Sequence, residues 1–214
     1  MDSLIPSLPY LGRGVLMTLY LSAASTALAT FVGLVLAMIQ LFAWRPVRWA
    51  AEILLYLLRG VPLLVLLFAM YYALPYSGFR IEPSTGGITV IGVYFGAFMS
   101  EVFRAAALAV PRGQWEAGRA IGMRTPRILV DVVLIQALRI AAPPYINTSI
   151  MVVKGTSLVA IIGLADVTFI GRQIVERTLA PFEVFGAVAF VYFLICYGLS
   201  TLGRYAETQA NYVH

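Results

Sequence analysis

Charge is scarce in this chain. Only 12% of the 214 residues are charged and 61% are hydrophobic, where a soluble domain carries about 25% and 45–50%. A water-facing surface cannot be assembled from so few charges, so lipid is the solvent for much of the molecule. Cysteine and histidine are almost missing. The one cysteine, Cys196, lies inside an apolar run and excludes a disulfide framework or a thiolate metal site. The one histidine is the terminal His214, which excludes a Ser-His-Asp triad and any histidine-based metal site. No Gly-x-x-x-x-Gly-Lys-Ser/Thr phosphate loop occurs, and Lys154-Gly155-Thr156 lacks the preceding glycine-rich turn. No close carboxylate pair suits acid/base work. Enzyme chemistry therefore has little to stand on, and any use of ATP needs a separate subunit.

Five hydrophobic stretches are present: Gly14–Phe42, Ile53–Leu74, Gly87–Val110, Pro144–Leu164 and Phe185–Leu202. Each approaches the roughly 20 residues that cross a bilayer. The expected fold class is an all-α membrane protein of about five transmembrane helices, with residues 1–214 forming a single domain. Met1–Tyr10 has neither a basic stretch nor a small-residue cleavage site, and the following run is too long for a signal-peptide core, so it is read as a retained helix. The net charge of +5 forms no continuous stripe of the kind nucleic acid requires. Arg45, Arg48, Arg112, Arg119, Arg124, Arg127 and Arg204 fall on one side, and Arg13, Arg80, Arg172 and Arg177 on the other. The bias predicts an outside N-terminus and a cytoplasmic C-terminus.

Small residues mark helix contacts. Gly14, Thr18, Ser22, Thr26 and Thr30 recur every four residues, a second row runs Ser25, Ala29, Gly33, Ala37, and the third span carries Gly92, Gly96 and Ser100. In lipid such rows let backbones approach, and a compact bundle is expected. A short interfacial helix is expected around Gly171–Thr178.

The segment Pro111–Pro126 reads as helix, stop, helix. Gln114 to Ile121 make two turns, Gly122 suits a left-handed stop, and Thr125 with Pro126 forms an N-cap and first position. A two-turn helix is unstable alone in water and must pack on its own bundle or on a partner; the residues leave both open. Trp115, Ala117, Ile121 and Met123 supply apolar area, and Ala117 and Gly118 permit close approach.

The spacing Glu116-Ala117-Gly118, three residues, Gly122, nine residues, Val132-Val133-Leu134-Ile135 resembles the EAA motif of ABC importer permeases. Gly118 stands where that motif has a second alanine, and Ile135 where it has proline. Arg59-Gly60-Val61-Pro62-Leu63-Leu64-Val65, Glu101-Val102-Phe103-Arg104, Gly113-Gln114-Trp115-Glu116-Ala117, Gln136-Ala137-Leu138-Arg139, Pro143-Pro144, Asn147 and Lys154-Gly155-Thr156-Ser157-Leu158 are similar, in order, to segments of the polar amino acid (histidine/glutamate/glutamine/arginine/opine) branch. The resemblance implies a binding-protein-dependent (MetI-like) permease fold in the bacterial inner membrane. It implies a coupling loop at about 111–126 that docks an ABC ATPase dimer through Gln114, Trp115, Glu116, Ala117, Gly118, Ile121 and Gly122. ATP and Mg would then sit in that partner, and none is bound by this chain. The other implied partners are a second permease chain, identical or homologous, and a periplasmic or lipid-anchored solute-binding protein.

Ionisable groups inside a span are costly and point to function. Glu101 and Arg104 are three residues apart and read as an ion pair. Arg59 precedes Gly60 and Pro62, and either serves freed carbonyls, pairs with Glu101 or faces the transport path. Lys154 reads as lying mid-span, sharing a face with Asn147 and Ser157 and opposite Thr156; it either lines the path or is satisfied by carbonyls. Pro143-Pro144 is expected to break the entry to that span, as in discontinuous transporter helices. The path candidates are Asn147, Lys154, Ser157, Arg59 and Glu101. The family's frequent aspartate after the lysine is Gly155 here, which tilts the expected substrate toward acidic or neutral amino acids. Rival readings are a permease for an opine or sulfur compound and, from another class, an intramembrane enzyme or scaffold.

Overall fold

A computed structural model describes residues 8–211; residues 1–7 of the retained helix and His214 lie outside them. The described residues form an all-helical bundle. Its elements are α1 (Leu8–Phe42), α2 (Arg45–Gly60), α3 (Leu63–Phe68), α4 (Pro83–Ala109), α5 (Arg112–Ala120), α6 (Thr125–Ile128), α7 (Leu134–Thr156), α8 (Val167–Thr178) and α9 (Pro181–Asn211). Four continuous helical runs are long and apolar enough to cross a membrane. The bent pair Arg45–Gly60 and Leu63–Ser77 makes a fifth.

Two proline sites affect their helices in opposite ways. The second span is not straight: its halves meet at 96°. Pro62 pushes the preceding residue out of the helical region, and Val61 is extended (φ −95°, ψ 132°). Gly60 ends α2 just before it. Pro143 and Pro144, in contrast, sit inside an unbroken α7. The fourth span therefore starts near Thr125 rather than at Pro144, running through a π turn at Leu129–Val133 and a 3₁₀ stretch at Ser157–Ile162. Lys154 is consequently in the last turn of α7, toward one end of the span instead of at its middle.

The two small-residue rows of α1 serve different neighbours. The row through Ala29 and Gly33 meets α4. A β-carbon on Gly33 would sit 2.7 Å from Met99 Cβ, and one on Gly96 would sit 2.9 Å from Val32 Cβ. The buried Gln40 amide donates to Ser100 Oγ at 3.4 Å in the same seam. The row through Gly14 and Thr18 meets α8. A β-carbon on Gly14 would lie 2.9 Å from Val167 Cα, and the Val167 N–H donates to Thr18 Oγ1 at 3.1 Å. Close approach gives dispersion contact along the whole seam. Leu21, Leu67, Ile91, Phe95, Met99 and Val152 fill the core beside it.

The start of α8 is fixed by Asp166, which is fully buried. Its Oδ1 accepts the Phe169 N–H at 2.8 Å, an N-cap, and its Oδ2 accepts the Tyr192 hydroxyl of α9 at 3.0 Å. Helix α8 begins four residues before the expected Gly171 and ends at Thr178 as read.

Candidate functional site

Helix α5 crosses one end of the bundle between α4 and the α6–α7 run. Val110, extended (φ −65°, ψ 126°), and Pro111 separate it from α4. It ends as the glycine spacing predicts: Gly122 has φ +79°, its N–H donates to the Arg119 carbonyl at 2.9 Å, and the Met123 N–H donates to the Gly118 carbonyl at 3.0 Å. This paired closure is a Schellman motif. The following start is shifted by one residue, because Arg124 is the N-cap and Thr125 and Pro126 lie in the first turn.

The helix divides its residues between its own chain and open space. Gly118 is buried; a β-carbon there would meet Ile128 Cγ1 at 2.8 Å. The glycine that departs from the motif is thus matched to a bulky neighbour, and Gly118 faces inward, onto Ile128. Trp115 and Met123 pack with Ala106, Val110, Ile128 and Val133. Trp115 and Glu116 also line a hollow of about 710 Å³ with Leu41, Phe42 and Leu108. Gln114, Ala117, Ile121 and Gly122 are exposed, Ile121 at 77%. Ile121 is flanked by exposed Arg112, Arg119 and Arg124.

A second group of candidates meets in a cavity of about 500 Å³ between α2, α4 and α7. Arg59, Glu101, Val102, Ile140, Pro144 and Thr148 contribute to its wall. Glu101 is paired with Arg104, as expected, while Arg59 Nη1 stands 4.0 Å from Glu101 Oε2. The other path candidates lie outside this wall. Asn147 and Lys154 are exposed, Ser157 is half-buried and Thr156 is buried on the opposite side. The five candidates therefore fall in two places. They are linked by a stripe that sequence reading did not single out: Ile140, Pro144, Asn147, Met151 and Lys154 recur at steps of four and three, and all are exposed. That spacing is a helix seam.

The family model described as binding-protein-dependent transport system inner membrane component matches residues 15–209. The chain belongs to this family. It is a multi-pass permease of the inner membrane, with an architecture shared by solved transporters. Over 97% of its own length the permease aligns with 97% of a chain in a crystal structure of an amino acid ABC transporter with histidines, at TM-score 0.91 and 29% identity. It aligns with the inward-facing MetNI methionine ABC transporter at TM-score 0.82 and 22% identity, which supports the fold alone. Among curated relatives, the L-cystine transport system permease protein TcyB of Bacillus subtilis (strain 168) is 35% identical over 95% of this chain and 87% of its own length. The glutamine transport system permease protein GlnP of Escherichia coli (strain K12) is 33% identical over 95% of this chain and 94% of its own.

Proposed function

We propose that this permease is the membrane subunit of an ATP-driven importer for polar amino acids, working as a pair of permease chains with an ABC ATPase dimer and a solute-binding protein. The observation that carries the coupling half of this reading is the split of α5: Gly118 and Trp115 hold it to the bundle, while Gln114, Ala117 and Ile121 are left open. The ATPase docks on that open face with Glu116 and Gly122 at its margins, and ATP and Mg are held in the ATPase. This chain hydrolyses nothing; its part is mechanical. Residues 1–214 act as one permease domain.

The substrate half is supported by relatives that are named as L-cystine and glutamine transport permeases. Neutral amino acids suit the absence of an acidic residue at Gly155. Two chains facing each other across the Ile140–Lys154 stripe would enclose a path lined by Asn147, Lys154 and Ser157, with the Arg59–Glu101 cavity beside it. The arginine bias puts α5 and the C-terminus in the cytoplasm and the N-terminus outside, so the binding protein delivers at the end that carries α8.

Co-expression and purification with the neighbouring transport subunits tests this directly. The expected result is a complex whose ATPase activity rises when the binding protein is loaded with glutamine or cystine. A complex stimulated by no amino acid overturns the substrate class, and a permease that never recovers an ATPase overturns the whole assignment.

A further inference from the structure

Three of the spans meet at one hollow. Phe42 is the last residue of the first span, Leu108 stands one residue before the end of the third, and Thr125 opens the fourth. All three line the space of about 710 Å³ beside α5. The hollow therefore sits at the boundary of the membrane, where hydrocarbon gives way to headgroups. Its wall is divided to match. Leu41, Phe42 and Leu108 form an apolar side, with Phe42 and Leu108 at least half exposed. Arg112, Glu116 and Arg119 form a polar side, with half-buried Trp115 next to them.

The polar side is one face of α5. At about 100° per residue, Arg112, Trp115, Glu116 and Arg119 lie together, and Gln114, Ala117 and Ile121 lie on the opposite side. The surface offered to the ATPase and the wall of the hollow are different faces, so both can be occupied at once. Among the described residues, neither Arg112 nor Arg119 makes a hydrogen bond or an ion pair, although Glu116 is four residues from the one and three from the other. Two guanidinium groups against one carboxylate leave the face with a net positive charge. Arg48 adds to it at the end of α1: its Nη2 reaches to 3.5 Å from the carbonyl of Ala43, the residue after Phe42.

A soluble anion has no use for the apolar side, and an apolar segment has none for the arginines. A phospholipid carries both parts in this order. Its phosphate suits the paired hydrogen bonds of a guanidinium fork, and its chains begin where the spans end. Basic pockets at the cytoplasmic ends of membrane helices suit anionic headgroups in particular. We infer that the hollow between α5 and the ends of α1 and α4 holds an anionic phospholipid, its phosphate on Arg112 and Arg119 and one acyl chain against Phe42 and Leu108. Phosphatidylethanolamine, which has no net charge, leaves the positive charge of the face unanswered. The bound lipid fills the gap beside α5 and leaves the ATPase face open. This site goes beyond the importer reading and shares with it only the placement of α5 at the cytoplasmic surface.

The test uses the permease–ATPase complex in liposomes of phosphatidylethanolamine and phosphatidylglycerol. A trace of one lipid or the other carries a photoactivatable group on an acyl chain, and cross-links are mapped by mass spectrometry. The yield at Phe42 and Leu108 is compared with that at Phe193, an exposed position of α9. A basic residue at an anionic surface is worth about a fivefold preference. The phosphatidylglycerol probe should therefore exceed the phosphatidylethanolamine probe by about that factor at the hollow and equal it at Phe193. Arg112→Gln with Arg119→Gln should remove the excess, and Arg112→Lys with Arg119→Lys should retain it. Equal labelling by the two probes at the hollow of the unaltered complex overturns the site. That arm needs no variant to fold, and equal labelling is also the outcome if the ATPase fills the hollow. An excess that survives both glutamine substitutions overturns the site too. Glycerophosphoglycerol, the same head without chains, should leave the cross-links unchanged; suppression by it assigns the arginines to a soluble phosphate diester and overturns the lipid. A complex that lacks an ATPase counts against the importer reading alone, because the cross-links are read on the permease.

Discussion

The α1–α4 seam and α9 are both apolar, both long and both helical, yet they are covered by different things. In the seam, Gly33, Gly92 and Gly96 bring neighbouring side chains so near that an added β-carbon would lie within 3 Å of them. Apart from Val184 and Val188, buried against α8, and Gly203, set against Ile146, helix α9 is largely open: Phe190, Phe193, Leu194 and Tyr197 are half exposed or more, and a β-carbon on Gly186 or Gly198 would have no neighbour within 4 Å. Nothing in a hydropathy profile separates the two. In water an apolar side chain has one place to go, the protein interior; in a bilayer it has two, and small-residue spacing tells them apart.

The sharpest way to break the comparison is to add bulk to both. Gly96→Leu should remove most folded protein, because Val32 cannot yield without opening the seam; overpacking alone costs about 1–3 kcal/mol or more. Gly186→Leu on α9 should stay within about 0.5 kcal/mol of the parent. Thermal unfolding followed by size exclusion in detergent reads both, and equal effects would mean that α9 is covered as closely as the seam. Exposed apolar residues at a water-facing end should behave differently from those in lipid. Ile121→Asp is expected to abolish recovery of the ATPase subunit, whereas Phe193→Leu leaves it unchanged; pull-down from co-expressing cells decides. A smaller effect is expected where a glycine meets a single side chain. Gly118→Ala should cost about 1–3 kcal/mol, and Ile128→Val added to it should recover part of that loss in a double-mutant cycle.

The smallest effect concerns the anchor that joins both regions. Burial pushes the Asp166 carboxyl above the usual carboxylate range, against the hydrogen bonds from Phe169 and Tyr192. A carboxyl whose folded value is raised stabilises the fold in its protonated form; that contribution is complete below the unfolded-state value and is lost as pH rises through the folded one. Relative to Asp166→Asn, the parent should therefore gain stability in acid and lose it toward neutral pH. Unfolding temperatures of the two proteins across that window check the sign.

What could be read from the chain without coordinates follows from how local each cause is. The Gly122 stop, the short α5 and the Glu101–Arg104 pair depend on neighbours within a few residues, and all three hold. The prolines show where locality fails. Pro62 follows Gly60 and Val61, which give up the helix readily, and the chain turns there. Pro143-Pro144 follows Ala141 and Ala142, good helix formers, and the bundle keeps the helix intact at the loss of two hydrogen bonds. The inward face of Gly118 depends on Ile128, beyond a helix stop and a turn, and no spacing rule announces it. Which of its readings Arg59 follows depends on the distance between α2 and α4, where its Nη1 stands 4.0 Å from Glu101 Oε2.

The joints of α5 have one more implication. A single extended residue, Val110, and a proline tie it to α4, while Gly122 and a short turn tie it to α6 and the run into α7. It is the crosspiece of a frame whose two uprights are the walls that carry Glu101 and Ile140. A push on the crosspiece cannot be absorbed in slack linker, because there is almost none, and so it must change the gap between the uprights.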